Sequence, residues 1–296
     1  ILNTTTTTAV DHDLTVTGAC DIGTNGNLDM NDSAVSLGTL NVANGASASI
    51  IFSGVTTTIA LTPNSTHPTW AFSIGASATA NFNGGTIKFL KTVSGGYLQM
   101  GSTHVLNDVI IDTNYDIPFA GHFKAASLDI QDGNLNSYGG TTGMTITGNM
   151  TVGNGTDTAA SQYTDDAGGA HDQSFGGVDI KANGTLKATD QTMNITSGNF
   201  NNSGTFTHND GEVKFNHATN TQNLQSAGSV EPIFYKLDNG QDASGATVVI
   251  WKDISVIHTM SNSGGRYFQF KGDQGSITAT FGSSSIACTI ADGNRC

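Results

Sequence analysis

The sequence predicts an all-β chain, specifically a β-solenoid or β-helix-like fold. Three observations predict it: strong helix formers are scarce, short runs alternate apolar and polar residues, and Asn-Gly turn signals stand between those runs. Glu212 and Glu231 are the only glutamates in 296 residues, and Lys and Arg together number 11. Thr, Ser, Asn, Asp and Gly fill the space instead, and these favour strands, turns and left-handed corners over helix interiors. No segment of about 12 residues carries an i, i+3, i+4, i+7 apolar stripe.

The alternating runs include Leu14-Thr15-Val16-Thr17, Leu40-Asn41-Val42, Leu128-Asp129-Ile130, Met144-Thr145-Ile146, Val178-Asp179-Ile180 and Ile277-Thr278-Ala279. Each has the period of a strand with one buried face. Between such runs lie Asn25-Gly26, Asn44-Gly45, Asn154-Gly155 and Asn183-Gly184, pairs that supply positive φ at low cost. Strand and turn alternate about every 8 to 12 residues. Two architectures fit this rhythm. In a solenoid, coils stack in parallel about 4.8 Å apart. The alternative is two β-sandwich domains. Composition favours the solenoid, whose corners consume Gly and Asn and whose outward faces suit Thr and Ser. From Val178 to Phe215 the expected inward residues are Ile180, Leu186, Ile195, Phe200, Phe206 and Val213.

Internal repetition organises the chain. Asn83-Gly84-Gly85-Thr86-Ile87-Lys88-Phe89 reads against Asn209-Asp210-Gly211-Glu212-Val213-Lys214-Phe215, an offset of 209 − 83 = 126. Leu98-Gln99 matches Leu224-Gln225 at the same offset, and Val105 to Val109 matches Ile233 to Leu237 after a two-residue slip. Upstream, Leu14 to Gly18 matches Met144 to Gly148, and Ala43-Asn44-Gly45 matches Ala182-Asn183-Gly184. Two tandem modules of about 130 residues are expected, over residues 1–140 and 141–272, with a β tail over 273–296 that begins a third, incomplete copy.

The repeated segments resemble the repeat regions of large bacterial and phage surface proteins, which carry a Gly-Gly-Thr-Val-x-Phe…Phe-Tyr-x-Leu pattern. The carriers are Gly85-Thr86-Ile87-Lys88-Phe89, Gly211-Glu212-Val213-Lys214-Phe215 and Phe234-Tyr235-Lys236-Leu237. The first copy departs from the pattern, with Val105-Leu106-Asn107-Asp108-Val109 in place of the Phe-Tyr element. The resemblance implies a secreted or virion-surface protein with structural or adhesive work, and no specific ligand.

A formal net charge of −13 with so few cations argues against a nucleic-acid partner, which needs clustered Lys and Arg. No apolar run approaches 18 residues, so no membrane insertion is expected. The sequence opens on Ile1-Leu2-Asn3 rather than Met or a signal peptide and reads as a processed product or an excised segment. Of three cysteines, Cys288 and Cys296 flank Asp292-Gly293-Asn294, a turn that makes them a disulfide candidate; two free thiols are the alternative. Cys20 reads as a small buried hydrophobe.

The expected function is non-enzymatic. Aspartates stand mostly at turns (Asp132-Gly133, Asp210-Gly211, Asp292-Gly293), and Glu212 has Thr86 as its repeat counterpart. A polysaccharide-degrading solenoid would need several carboxylates converging in one groove. No cofactor is expected. Calcium is the one cation the composition would suit, at the acidic stretch from Asp157 through Asp172 or at Asp11-His12-Asp13, although neither has the spacing of a known calcium loop; the alternatives are a solvated insertion loop and an exposed loop. Trp70, Trp251, Tyr97, Tyr115, Tyr163 and Tyr267 would stack on surface glycans if aligned and exposed, though Val248-Val249-Ile250-Trp251 reads better as core. The N-terminal arm through Val10 is β-prone and suits self-association by strand exchange or end-to-end stacking; the alternative is an intramolecular first strand. The reading is therefore a subunit or repeat segment of an extracellular fibre, filament or virion appendage. The alternatives are a carbohydrate-binding adhesin or phage fibre module and, second, a polysaccharide-degrading solenoid enzyme.

Overall fold

A computed structural model describes residues 6–62, 70–91, 95–101, 103–156, 161–165, 171–217, 220–226, 231–241, 247–264, 268–271, 277–281 and 284–288. Among these residues there is no helix. The chain divides into two compact units, Ile1–Thr145 and Ile146–Cys296.

In the first unit the first four coils contribute to three parallel ladders. One runs through Thr7–Ala9, Asn27–Asp29, Ser49–Ile51 and Thr79–Asn81. The strands Leu14–Ile22 and Val35–Val42 are long enough to supply both of the other two. Residues 35–37 pair onward to Thr56–Ile59, Thr86–Phe89 and residues 108–111. Residues 40–42 pair onward to Trp70–Ile74, Tyr97–Met100 and residues 119–121. Strand alternation thereby stacks like residues inside. Leu37, Ile59, Phe89 and Ile111 form one column, and Leu40, Phe72, Leu98 and Phe119 form another, all 0–1 % exposed. Each such side chain contributes about 1.5–3 kcal/mol by burial. Phe72 and Phe89 also meet edge-on across the core at 5.1 Å.

The second unit repeats the plan. Ser161–Thr164 pairs with Gly184–Lys187 and then Thr205–Thr207. The strand Gln173–Ile180 supplies two ladders, one through Thr192–Ile195, Glu212–Phe215 and Ile233–Asn239, the other through Phe200–Asn202, Gln222–Ser226, Val248–Ile250 and Phe268–Phe270. Of the inward residues expected between Val178 and Phe215, Ile180, Leu186, Ile195, Phe200 and Val213 are buried. Phe206 is only half-buried, packed edge-on against Phe200 at 5.1 Å.

These ladders are parallel, which overturns the alternative of two β-sandwiches, since sandwiches are built from antiparallel pairs. The antiparallel pair among the described residues is the hairpin of Ile277–Phe281 with Ser284–Cys288.

The matched segments adopt matching conformations. Asn83 (φ 46°) and Gly84 (φ 71°) correspond to Asn209 (φ 50°) and Asp210 (φ 60°), two successive left-handed residues before each strand. The following glycines are needed for close approach. A Cβ on Gly85 would lie 2.0 Å from the Ser53 carbonyl oxygen, and one on Gly211 would lie 2.2 Å from that of Thr189. Farther along, Val109 pairs with Ile87 just as Leu237 pairs with Val213.

Candidate binding groove

On the first unit the third ladder presents a row of outward residues in register: Asp21, Asn41, Ser73 and Gln99. They line a groove of about 640 Å³. Alternation places them outward because their neighbours Ile22, Leu40, Val42, Phe72, Ile74 and Leu98 are buried. Asn41 Nδ2 donates to Asp21 Oδ1 at 3.4 Å, tying two rungs together. Trp70 borders the groove from three positions before Ser73, and Tyr97 is its register partner in the next coil. Their rings meet edge-on at 5.7 Å, and Tyr97 stacks on Tyr138 at 5.2 Å. Trp70 and Tyr97 are half-buried, and Tyr138 is 50 % exposed. Among the described residues of the lining, Asp21 is the only charged side chain, and none is Lys, Arg or His.

A second, polar hollow of about 530 Å³ gathers Asp11, Asp29 and Asp32 around Asn31. Two of these carboxylates hold the corner itself. Asp29 Oδ1 accepts from the Asn31 backbone N–H at 2.9 Å, and Asp11 Oδ1 accepts from Asn31 Nδ2 at 3.2 Å. Asn31 needs that support because its φ is 46°. Asp13 caps a neighbouring turn, accepting from Ala34 N–H at 3.1 Å.

Other sequence candidates fall elsewhere. Tyr163 is fully buried, so it cannot stack on a surface ligand. It pairs into the Leu186 column, and Gln173 Nε2 reaches its hydroxyl at 2.8 Å. Asp165 is not part of a solvated loop. It is 5 % exposed, accepts from Gln173 Nε2 at 3.0 Å and lies 3.1 Å from His171 Nε2. Trp251, expected in the core, is half-buried instead, donating Nε1–H to Asn223 Oδ1 at 2.9 Å beneath Lys271. Tyr115 is 40 % exposed. Cys20 is half-buried, with its thiol pKa pushed up by burial and by the Asp21 charge. Tyr267, Asp157, Asp166 and Cys296 lie outside the described residues, and with them the Cys288–Cys296 pairing. Among the described residues no three His, Cys, Asp or Glu side chains form a group able to hold a metal.

Sequence reasoning missed Tyr138 and the polar row. The row was hidden by unequal steps between its members: 41 − 21 = 20, 73 − 41 = 32 and 99 − 73 = 26. It missed as well the histidine–tyrosine strip of the second unit, where Tyr235 stacks on His208 at 5.8 Å and lies 5.1 Å from His258. The Phe-Tyr element of the repeat was the available signal.

Fold and surface define a β-solenoid protein with an aromatic-bordered groove on its first unit. No family model, curated protein or solved structure matches the chain.

Proposed function

We propose that the chain is a non-enzymatic structural segment of an extracellular surface fibre, filament or virion appendage. The observation that carries this reading is the backbone ladder within each unit, where parallel strands follow coil upon coil over an apolar core. Such a stack resists deformation along its ladders, and each coil presents a template for the next. Thr7–Ala9 is exposed and stands at the end of its four-stranded sheet, so it offers backbone groups to a second copy. Aspartate-rich outer surfaces with a net charge of −13 favour solubility between contacts.

Negative-stain electron microscopy over a concentration series, with and without calcium, tests the proposal. Filaments or end-to-end chains that lengthen with concentration are expected. Isolated particles at every concentration would overturn self-assembly.

The groove favours a second reading, a carbohydrate-binding adhesin or phage fibre module. Half-exposed aromatic rings beside a row of amide, hydroxyl and carboxylate groups have the composition of a small-molecule or glycan site.

A further inference from the structure

We infer that the groove of the first unit binds a neutral, unbranched pyranose chain lying across successive coils; this rests on the adhesive reading of that groove. Trp70 borders the groove and offers an apolar ring to the C–H face of a sugar; Tyr97 meets it edge-on and itself stacks on Tyr138, so the two tyrosines buttress the indole. Asp21, Asn41, Ser73 and Gln99 follow one another in register, one per coil at about 4.8 Å. That row supplies donors and acceptors for successive hydroxyls. The Asp21–Asn41 hydrogen bond and the ring contacts hold the groups in place before a ligand arrives, which lowers the ordering cost of binding.

The surroundings select against other occupants. The described lining holds one carboxylate and no cation, so uronate, sialyl or sulfated chains would meet repulsion there. Nucleic acids and anionic lipid surfaces are disfavoured for the same reason. A peptide strand adds to a sheet edge, whereas the groove lies on the face of a ladder whose backbone groups are already paired.

Calorimetry and tryptophan fluorescence test the inference with three probes: a β-linked glucose hexamer, an N-acetylglucosamine hexamer and hexagalacturonate. The full chain is used, with Trp251→Phe as background so that Trp70 is the sole tryptophan reporter of the 2 present. At least one neutral hexamer should bind and shift the Trp70 emission, with hexagalacturonate at least about tenfold weaker. Trp70→Ala should weaken binding about tenfold or more and Gln99→Ala about threefold, while Tyr115→Ala, outside the groove, should have no effect. Circular dichroism checks that each variant stays folded. Preferential binding of hexagalacturonate, or neutral-hexamer binding untouched by both Trp70→Ala and Gln99→Ala, would overturn the inference and leave the adhesive reading standing. Binding of none of the three would remove both.

Discussion

Lys214 Nζ lies 3.2 Å from Asp238 Oδ2 in the next coil of the second unit. At the repeat offset of 126 residues, Lys88 Nζ lies 2.6 Å from Asp112 Oδ2. The two pairs share residue types and spacing but not surroundings. Asp238 is 2 % exposed and also accepts from Ser261 Oγ at 2.6 Å, from Ser263 N–H at 3.0 Å and from the Ser263 hydroxyl. The Lys88–Asp112 side chains are 30 % and 38 % exposed. Both units thus carry a coil-to-coil ion pair at matching positions, and only at Asp238 is the carboxylate buried and held by further donors.

Removing the two carboxylates should therefore have unequal effects. Asp238→Ala leaves Lys214 and two serines without their common acceptor and should cost about 3 kcal/mol or more. Asp112→Ala removes an exposed pair and should cost about 1 kcal/mol or less. Urea unfolding of the two variants measures the difference. Equal costs would show that the network does not stabilise the second unit.

Acidification should select the same residue. Burial pushes the Asp238 carboxyl up, but hydrogen bonds from Ser261 and Ser263 together with Lys214 outweigh it and hold the pKa below the usual carboxylate range. The contribution is then fully present above the unfolded pKa of about 3.9 and is lost as pH falls from there through the folded pKa. Wild-type stability should drop in this range more steeply than that of Asp238→Asn, compared by urea midpoints from pH 5 to pH 2.5.

Close approach of coils sets a third expectation. Gly85→Ala and Gly211→Ala each drive a Cβ into backbone carbonyls, with second contacts at 2.4 Å to Val55 and 2.6 Å to Gln191. Backbone shifts of this kind cost about 1–3 kcal/mol. Gly18→Ala is the control, because a Cβ there meets nothing within 4 Å. Thermal melts should order the variants with Gly18→Ala near wild type and the other two well below it.

Much of this architecture was legible in the residues. The Asn-Gly-Gly and Asn-Asp-Gly corners marked two equivalent bends, and alternation identified most of the inward residues between Val178 and Phe215. The parallel pairing of neighbouring coils followed from corner composition and was not visible in any single strand. The groove was harder to read. Trp70 and Tyr97 stand 27 residues apart and become neighbours through coil register, while Tyr163, with the same side chain as Tyr97, faces inward. A tyrosine's sequence context gives its strand phase. The neighbours carry the difference: Leu98 is the buried residue beside Tyr97, whereas polar Gln162 beside Tyr163 is only half-buried. Buried polar groups defeated the pattern. Gln222 is fully buried because Ile195 and Gly198 carbonyls accept from its Nε2, both at 2.9 Å, and Gln241 Nε2 donates to its Oε1 at 2.7 Å. Those partners come from other coils.

Lys91 provides the last expectation. It is 6 % exposed, its Nζ donates to the Asp116 carbonyl, and its own carbonyl accepts from Thr113 Oγ1 at 2.7 Å. Burial pushes its pKa below the usual lysine range, and the Asp116 charge only partly offsets this. The unfolded chain therefore holds its proton to higher pH than the folded one, so stability rises as pH climbs through the folded pKa toward the unfolded value of about 10.4. Lys91→Met has no ammonium to desolvate and keeps most of the side-chain volume. Its loss of a donor to Asp116, about 1–3 kcal/mol, is set against relief of the charge burial, so its stability at pH 7 should stay close to wild type. The alkaline rise should be smaller in Lys91→Met than in wild type. Urea midpoints at pH 7 and pH 9.5 measure both quantities, and an undiminished rise in Lys91→Met would assign the alkaline gain to another group.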